Sequence, residues 1–178
     1  MIIRPAKPAD LPQLRAIYAP YVLHTTVSFE YRVPSREEFA ARFARITRRF
    51  PWLVAEEDGC ILGYAYGDLP FARAAYAWDA ETSIYIRQDC RGRGLGRALY
   101  AALEPLLAEM GFCNLYAIVT GENAASLAFH EQLGYVRAAE LPRAGYKFGR
   151  WHSTIWLLKV LAQEPGPAPL PPADPRDC

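Results

Sequence analysis

An α/β fold, with a mixed twisted sheet and helices on both faces, is what the 178-residue sequence predicts. Three observations carry it. Apolar periodicity switches between strand-like and helix-like repeats in the order β-α-α-β-β-β-α-β-α-β-β. Two apolar runs flank Glu57-Asp58-Gly59, the turn chemistry of an antiparallel hairpin. The strand-helix-strand-helix-strand order of the second half implies parallel pairing as well.

Ile2-Ile3-Arg4-Pro5 reads as a short strand ended by its proline. Asp10 opens a helix in which Leu11, Leu14, Ile17, Tyr18, Tyr21 and Val22 share one face. Ser35 and Glu38 form a capping box. Phe39, Phe43, Ile46 and Phe50 make the next stripe, and Pro51 stops that helix. Trp52 to Ala55 and Ile61 to Tyr66 are the hairpin strands, 69–77 is a loop, and Glu81 to Ile86 is a third long strand. Gly92 to Gly96 is a glycine-rich turn, and the helix after it carries Leu95, Leu99, Leu103, Leu106 and Met110 as its stripe. Leu115 to Val119 is a buried strand. Asn123 to Leu133 is a short helix closed by Gly134 just past its C-terminus. Tyr135-Val136 and Ser153 to Val160 are the terminal strands, with Gly145 to Arg150 as the turn between them.

Composition narrows the class. Twenty basic and 19 acidic residues leave a net charge of +1, which argues against a nucleic-acid or membrane-surface partner. The N-terminus has no apolar leader and no stretch approaches the length of a membrane span, so a cytoplasmic location is expected. Cys60, Cys90, Cys113 and Cys178 are widely and irregularly spaced, as idle thiols in a reducing compartment are. His24, His130 and His152 are too scattered to propose a metal site. One domain is expected over 1–161. The prolines at 165, 167, 169, 171, 172 and 175 make 162–178 an irregular tail.

The strongest local signal is Arg91-Gly92-Arg93-Gly94-Leu95-Gly96-Arg97 between a strand and an amphipathic helix. Glycines permit a tight turn and leave N–H groups unshielded, and the helix aims its positive dipole end there. Such a turn binds phosphate, with Arg87, Arg91, Arg93 and Arg97 adding charge. The competing reading is a tight turn with solvated arginines. The Walker pattern is absent. The dinucleotide fingerprint requires glycine where Arg97 stands, and an acid that Tyr116 to Val119 does not supply. Downstream, Asn123, Ser126 and His130 share a helix face, with Ala125, Phe129 and Leu133 on another suited to the core. Asn123 also reads as the helix cap.

The pattern Arg91-Gly92-Arg93-Gly94-Leu95-Gly96, followed by Asn123 to Tyr135, resembles the two cofactor elements of the GNAT acetyltransferases. Over residues 2–161 the chain is similar to the phosphinothricin and methionine sulfoximine acetyltransferases. The stretches that carry this likeness are 26–30, 51–56, 75–86, 130–135 and 145–152. The resemblance implies the GNAT fold, acetyl-CoA as co-substrate without a metal, acetylation of the α-amino group of a small amino-acid analogue, and a homodimer.

It also implies roles for particular residues. Backbone groups of Ile84, Tyr85 and Ile86 hold the pantetheine arm and polarise the thioester oxygen. Residues Arg91 to Arg97, with Asn123 and Ser126, hold the rest of the cofactor. Glu81 matches the family's base, directly or through a water, the alternative being a partner for the substrate ammonium. His130 stands where many GNAT enzymes have an acidic tyrosine. It is read either as the acid for the leaving thiolate, since histidine carries a proton near neutrality, or as a packing residue. Apart from the resemblance, a substrate carboxylate needs a cation, and Arg73 in the loop before Glu81 is the expected one, with Phe29, Glu30 and Phe71 shaping the pocket; the alternative is an exposed, unengaged loop arginine. Two other readings remain: a protein N-terminal or lysine acetyltransferase, and a non-catalytic acyl-CoA-binding protein.

Overall fold

The structure is a computed structural model that describes residues 1–161; the tail expected at 162–178 lies outside the described residues. The elements follow the predicted order. They are β1 (Ile2–Pro5), α1 (Leu11–His24), α2 (Arg36–Ile46), β2 (Trp52–Glu57), β3 (Cys60–Asp68), β4 (Asp79–Ile86), α3 (Leu95–Glu109), β5 (Asn114–Thr120), α4 (Ala124–Gln132), β6 (Val136–Lys147) and β7 (Arg150–Val160). One seven-stranded sheet runs β1-β2-β3-β4-β5-β7-β6. Among the described residues its one parallel pair is β4–β5, joined through α3; the second strand-helix-strand unit predicted from sequence places β7, antiparallel, beside β5.

Local chemistry explains the boundaries. Ser35 Oγ accepts from Glu38 N at 3.1 Å and Ser35 N donates to the Glu38 carboxylate at 2.7 Å, so the capping box starts α2 as predicted. Asp58 and Gly59 have φ of 51° and 78°, the paired left-handed geometry that closes the β2–β3 hairpin.

Alternate residues of the central strands face two helical layers. On one face Trp52 stacks on Tyr66 at 4.1 Å, Tyr18 of α1 meets Tyr85 edge-on at 4.9 Å, and Phe43 of α2 lies 5.2 Å from Trp52. On the other, Leu99, Tyr100, Leu103 and Leu107 of α3 are buried with Leu115, Ala117 and Leu157 of the sheet. The buried stripe of α3 thus differs from the predicted one: Tyr100 and Leu107 belong to it, whereas Leu106 and Met110 are exposed.

The largest departure from the sequence reading is the terminal hairpin. Residues 145–147, predicted as turn, are the end of β6, and the turn is Phe148-Gly149, both with positive φ. The reason is physical. β6 is an edge strand exposed at ten of its twelve positions, so it has little apolar alternation to read. Its tip is tied to the body by Lys147, whose buried ammonium donates to Val22 O at 2.7 Å, Thr25 O at 2.8 Å and Ser28 O at 2.6 Å. His152 bridges Lys147 O at 2.9 Å and the Glu122 carboxylate at 2.9 Å. These bonds hold the α1–α2 loop against the hairpin.

Candidate active site

β4 and β5 pair only from Asp79 and Asn114 to Glu81 and Tyr116, then part. Hydrogen-bond parity decides what the parting exposes. In an antiparallel pair, residues that bond across alternate with residues that do not. Arg87 N donates to Leu62 O at 2.8 Å, so the odd-numbered residues of β4 bond to β3. The even-numbered ones turn their N–H and C=O toward β5, as the 2.8 Å bond from Cys113 N to Trp78 O shows at the start of the strand. Where β5 has departed, Ile84 presents its backbone to a cleft. Residues Thr82 to Tyr85, Ala117 to Thr120, Val27, Asn123, Ser126 and His130 line it.

The predicted trio of Ile84, Tyr85 and Ile86 is divided. Ile84 and Tyr85 line the cleft, but Ile86 does not. The Tyr21 hydroxyl donates to Ile86 O at 2.5 Å and accepts from Ile86 N at 3.2 Å, which ties that residue to α1. Sequence reading missed Tyr21 here because it saw the residue only as part of an apolar face.

The glycine-rich turn has the geometry a phosphate requires. Gly92 and Gly94 have φ of 77° and 76°, and a Cβ on either would meet nothing within 4 Å, so the space above the turn is open. Gly94 is the N-cap of α3, and Ala98 N already bonds to Gly94 O at 3.1 Å. The amides of Leu95, Gly96 and Arg97 precede it and have no helical acceptor. Leu95 is buried, which anchors the turn. Gly96 lets the Phe129 ring of α4 come close, since a Cβ would stand 3.0 Å from it. The predicted arginine cluster is smaller than expected. Arg87 is paired with Asp89 at 2.7 Å and Arg93 with Glu57 at 2.8 Å. Arg91 lies over the Tyr21 ring at 5.4 Å, and Arg97 forms no ion pair among the described residues.

On α4, Asn123 accepts from Ser126 N at 3.2 Å, so it caps the helix while facing the cleft. The face predicted for the core is corrected. Leu127 and His130 are the buried positions and Ala125 is exposed; Phe129 and Leu133 pack at the margin of the core. His130 Nδ1 lies 2.8 Å from Ser126 O, which only accepts, so that nitrogen carries the proton. Nε2 lies 2.9 Å from the Tyr100 hydroxyl and accepts its proton in the neutral ring. Burial lowers the pKa of His130. The protonated imidazole expected near neutrality is therefore replaced by a neutral ring whose two nitrogens are both engaged. Thr82 Oγ1, at 3.1 Å, is a second acceptor for the same Tyr100 proton. The apolar stripe expected from the sequence, Leu95 to Met110, does not include Tyr100.

Glu81 sits at the last paired position before the strands part, between Asp68 of β3 and Tyr116 of β5. It forms no hydrogen bond or ion pair among the described residues, and burial, then the Asp68 charge, push its pKa up to about 7. Phe71 stacks on Trp156 at 5.8 Å and meets Tyr116 edge-on at 5.7 Å, which puts it on the Glu81 side of the sheet. Arg73 is exposed, with no ion pair among the described residues. Phe29 and Glu30 lie elsewhere, in a second depression with Tyr31, Arg32, Pro34, Glu38 and Arg42. Glu30 is engaged by Arg42 and by the Tyr18 hydroxyl at 2.9 Å. Phe29 covers Gly145, where a Cβ would fall 2.3 Å from its ring. Neither of these two depressions gathers Phe29, Arg73 and Glu81.

Among the described residues no group of His, Cys, Asp or Glu is placed to hold a metal, and no helix is long and apolar enough to cross a membrane. The family model described as an acetyltransferase (GNAT) domain matches residues 3–156. A phosphinothricin N-acetyltransferase of Alcaligenes faecalis is 40% identical over 161 residues, covering 89% of this chain and 82% of that protein. An L-methionine sulfoximine/L-methionine sulfone acetyltransferase of Salmonella typhimurium is 34% identical, covering 94% and 98%. The crystal structure of a GNAT superfamily phosphinothricin acetyltransferase from Sinorhizobium meliloti in complex with AcCoA superposes with a TM-score of 0.90 at 32% identity, covering 98% of both chains. A glycine turn at a helix N-terminus, a strand that parts from its parallel neighbour and this breadth of likeness converge, and the chain belongs to the GNAT acetyltransferases.

Proposed function

We propose that this chain transfers the acetyl group of acetyl-CoA to the α-amino group of a small amino-acid analogue such as phosphinothricin or methionine sulfoximine or sulfone. The observation that carries the reading is Glu81, a half-buried carboxyl unpaired among the described residues, with a pKa raised to about 7, at the point where β4 and β5 separate. Acetyl-CoA supplies an activated acetyl group as a thioester. The amides of Leu95, Gly96 and Arg97 bind its pyrophosphate, and Ile84 with Tyr85 lines the path of its pantetheine arm. Glu81 accepts a proton from the substrate ammonium, directly or through water, because an α-amino group is mostly protonated at neutral pH and attacks only when neutral. The free N–H of Ile84 donates toward the acetyl oxygen as charge builds there.

His130, held by Tyr100, is assigned to the departing sulfur as a hydrogen-bonding group. The thiolate takes the proton that the attacking nitrogen gives up, because burial pushes the pKa of Tyr100 up and its hydroxyl keeps its own proton. That hydroxyl fixes the neutral His130 ring, which lines the cleft. Tyr100→Phe removes this anchor and leaves the ring space filled. Its kcat is expected to fall about 5- to 10-fold, the equivalent of one hydrogen bond, with the KM for acetyl-CoA unchanged. An unchanged kcat removes the pair from the chemistry.

Arg73, exposed, without an ion pair among the described residues and two positions after Phe71, is proposed to bind the substrate carboxylate as a bidentate partner. Hydrogen bonds to charged groups are worth about 1.5–3 kcal/mol, or roughly 10- to 150-fold. Methionine sulfone is therefore expected to be acetylated faster than its amide by about that factor, and Arg73→Ala to narrow the gap. Equal preference in the parent enzyme would reject the assignment. The decisive experiment on substrate class is competition, read by thiol release, between one amino-acid analogue and one lysine peptide at equal concentration. Preference for the peptide would favour protein acetylation; no thiol release with any amine would favour an acyl-CoA-binding protein.

The reading extends to a homodimer acting in the cytoplasm. Supporting it are exposed Tyr146, Phe148 and Trp151 on the terminal hairpin, and free thiols at Cys60, Cys90 and Cys113.

A further inference from the structure

Glu81 and Asp68 are register partners across β3 and β4, at a hydrogen-bonded position of the ladder, where Cα atoms stand about 5.5 Å apart and side chains share a face. The two carboxyl groups are treated differently by their surroundings. Asp68 accepts from Arg45 through both guanidinium nitrogens, at 2.8 and 2.7 Å, and from Leu69 N at 2.8 Å. Glu81 has no such partner among the described residues. The other titratable groups around Glu81 are Tyr66 on β3, Asp79 and Tyr85 on its own strand, Tyr116 on β5 and Tyr100 on α3; Asp79, on the same face, accepts from Asn114 Nδ2 at 2.8 Å. Burial raises the pKa of all four tyrosines, so they are neutral where Glu81 titrates. Asp68 is the anion directly across the ladder whose charge acts on Glu81, and α2 delivers the cation that offsets it.

We propose that Arg45 and Asp68 are positioning residues for Glu81, a charge pair that sets the pH above which the base is ionised. This rests on the reading of Glu81 as the base. The pair acts on the half-buried Glu81 carboxyl from the register position beside it, with Arg45 58% exposed and Asp68 23%. Removing the Asp68 charge makes ionisation of Glu81 easier; removing Arg45 leaves Asp68 uncompensated and makes it harder.

The test uses the full chain with methionine sulfone and acetyl-CoA, and compares pH profiles of kcat/KM for the parent, Asp68→Asn, Arg45→Gln, Arg45→Lys and the Asp68→Asn/Arg45→Gln double variant. Asp68→Asn is expected to move the acid limb down by about 0.5–1 pH unit, a gain of about 3- to 10-fold in kcat/KM well below the limb. Arg45→Gln is expected to move it up, Arg45→Lys to restore it, and the double variant to follow Asp68→Asn. The Glu81 carboxyl is titrated by carbon NMR in the same proteins without substrate. If the Glu81 titration moves as stated while the rate profile stays, the coupling stands and the assignment of Glu81 as base fails. If the Glu81 titration is the same in all five proteins, the coupling is overturned.

Discussion

Glu81→Gln is expected to lower kcat/KM by about 10²–10⁴-fold near neutral pH, with acetyl-CoA affinity little changed. The glutamine keeps the shape of the side chain and loses the proton acceptor. The size of the loss depends on pH in a defined direction. The carboxyl pKa of Glu81 is raised to about 7, so the parent enzyme gains activity as pH rises through 7 and levels off above it. The variant has no such limb, and its deficit shrinks at higher pH as the substrate amine becomes neutral without help. Rates for the two proteins between pH 5.5 and 9.5 check this; an unchanged rate at pH 7 removes Glu81 from the chemistry.

The same substitution has an expected effect on stability, of opposite sign. A carboxyl whose folded pKa lies above its unfolded value of about 4.3 costs stability once it must ionise. The cost is absent below the unfolded value, grows as pH rises toward 7 and is complete above 7. Glu81→Gln is therefore expected to stabilise the protein at pH 8 by about 1–3 kcal/mol and to leave it unchanged at pH 4. Urea unfolding at both values measures it. Equal stability at pH 8 would mean that Glu81 ionises as freely as a surface carboxyl. A base that is destabilising in its working form is what a site selected for proton transfer is expected to contain.

Much of this site was legible because its signals are local. The glycines at 92, 94 and 96 lie within one turn, and Asn123, Ser126 and His130 within two turns of one helix, so spacing alone places them together. The capping box at Ser35 and Glu38 and the hairpin at Asp58-Gly59 were readable for the same reason. What escaped depends on strand register and burial. Asp68 precedes Glu81 by a loop and a short helical turn, and only the β3–β4 ladder puts them side by side. Tyr21 reaches Ile86 from α1 across 65 positions of sequence. The neutrality of His130 follows from burial and from Ser126 O, neither of which a residue pattern contains. The arginines of the glycine turn looked free because their partners, Glu57 and Asp89, are set by folding.

Gly94→Val is expected to weaken acetyl-CoA binding by about 10²–10⁴-fold while leaving the fold intact. Gly94 has a φ of 76°, a left-handed conformation that a β-branched residue adopts only at a steric cost. No protein atom lies within 4 Å of a Cβ there, so the substitution meets no clash in the folded chain itself. Its effects are two. The turn relaxes away from left-handed geometry, which re-aims the amides of Leu95 and Gly96, and the isopropyl group fills the open space above them. Loss of two hydrogen bonds to a charged phosphate, at about 1.5–3 kcal/mol each, gives the stated range. Leu95 remains buried, so α3 keeps its seat on the sheet and the melting temperature is expected to fall by only a few degrees. Gly59→Val is the control, since Gly59 has the same open surroundings and a φ of 78° but closes the distant β2–β3 turn. Calorimetric titration with acetyl-CoA separates the two: the control is expected to bind as the parent does. Parent-like affinity in Gly94→Val would move the pyrophosphate away from the N-terminus of α3, and a deficit shared by the control would assign the loss to backbone strain in general.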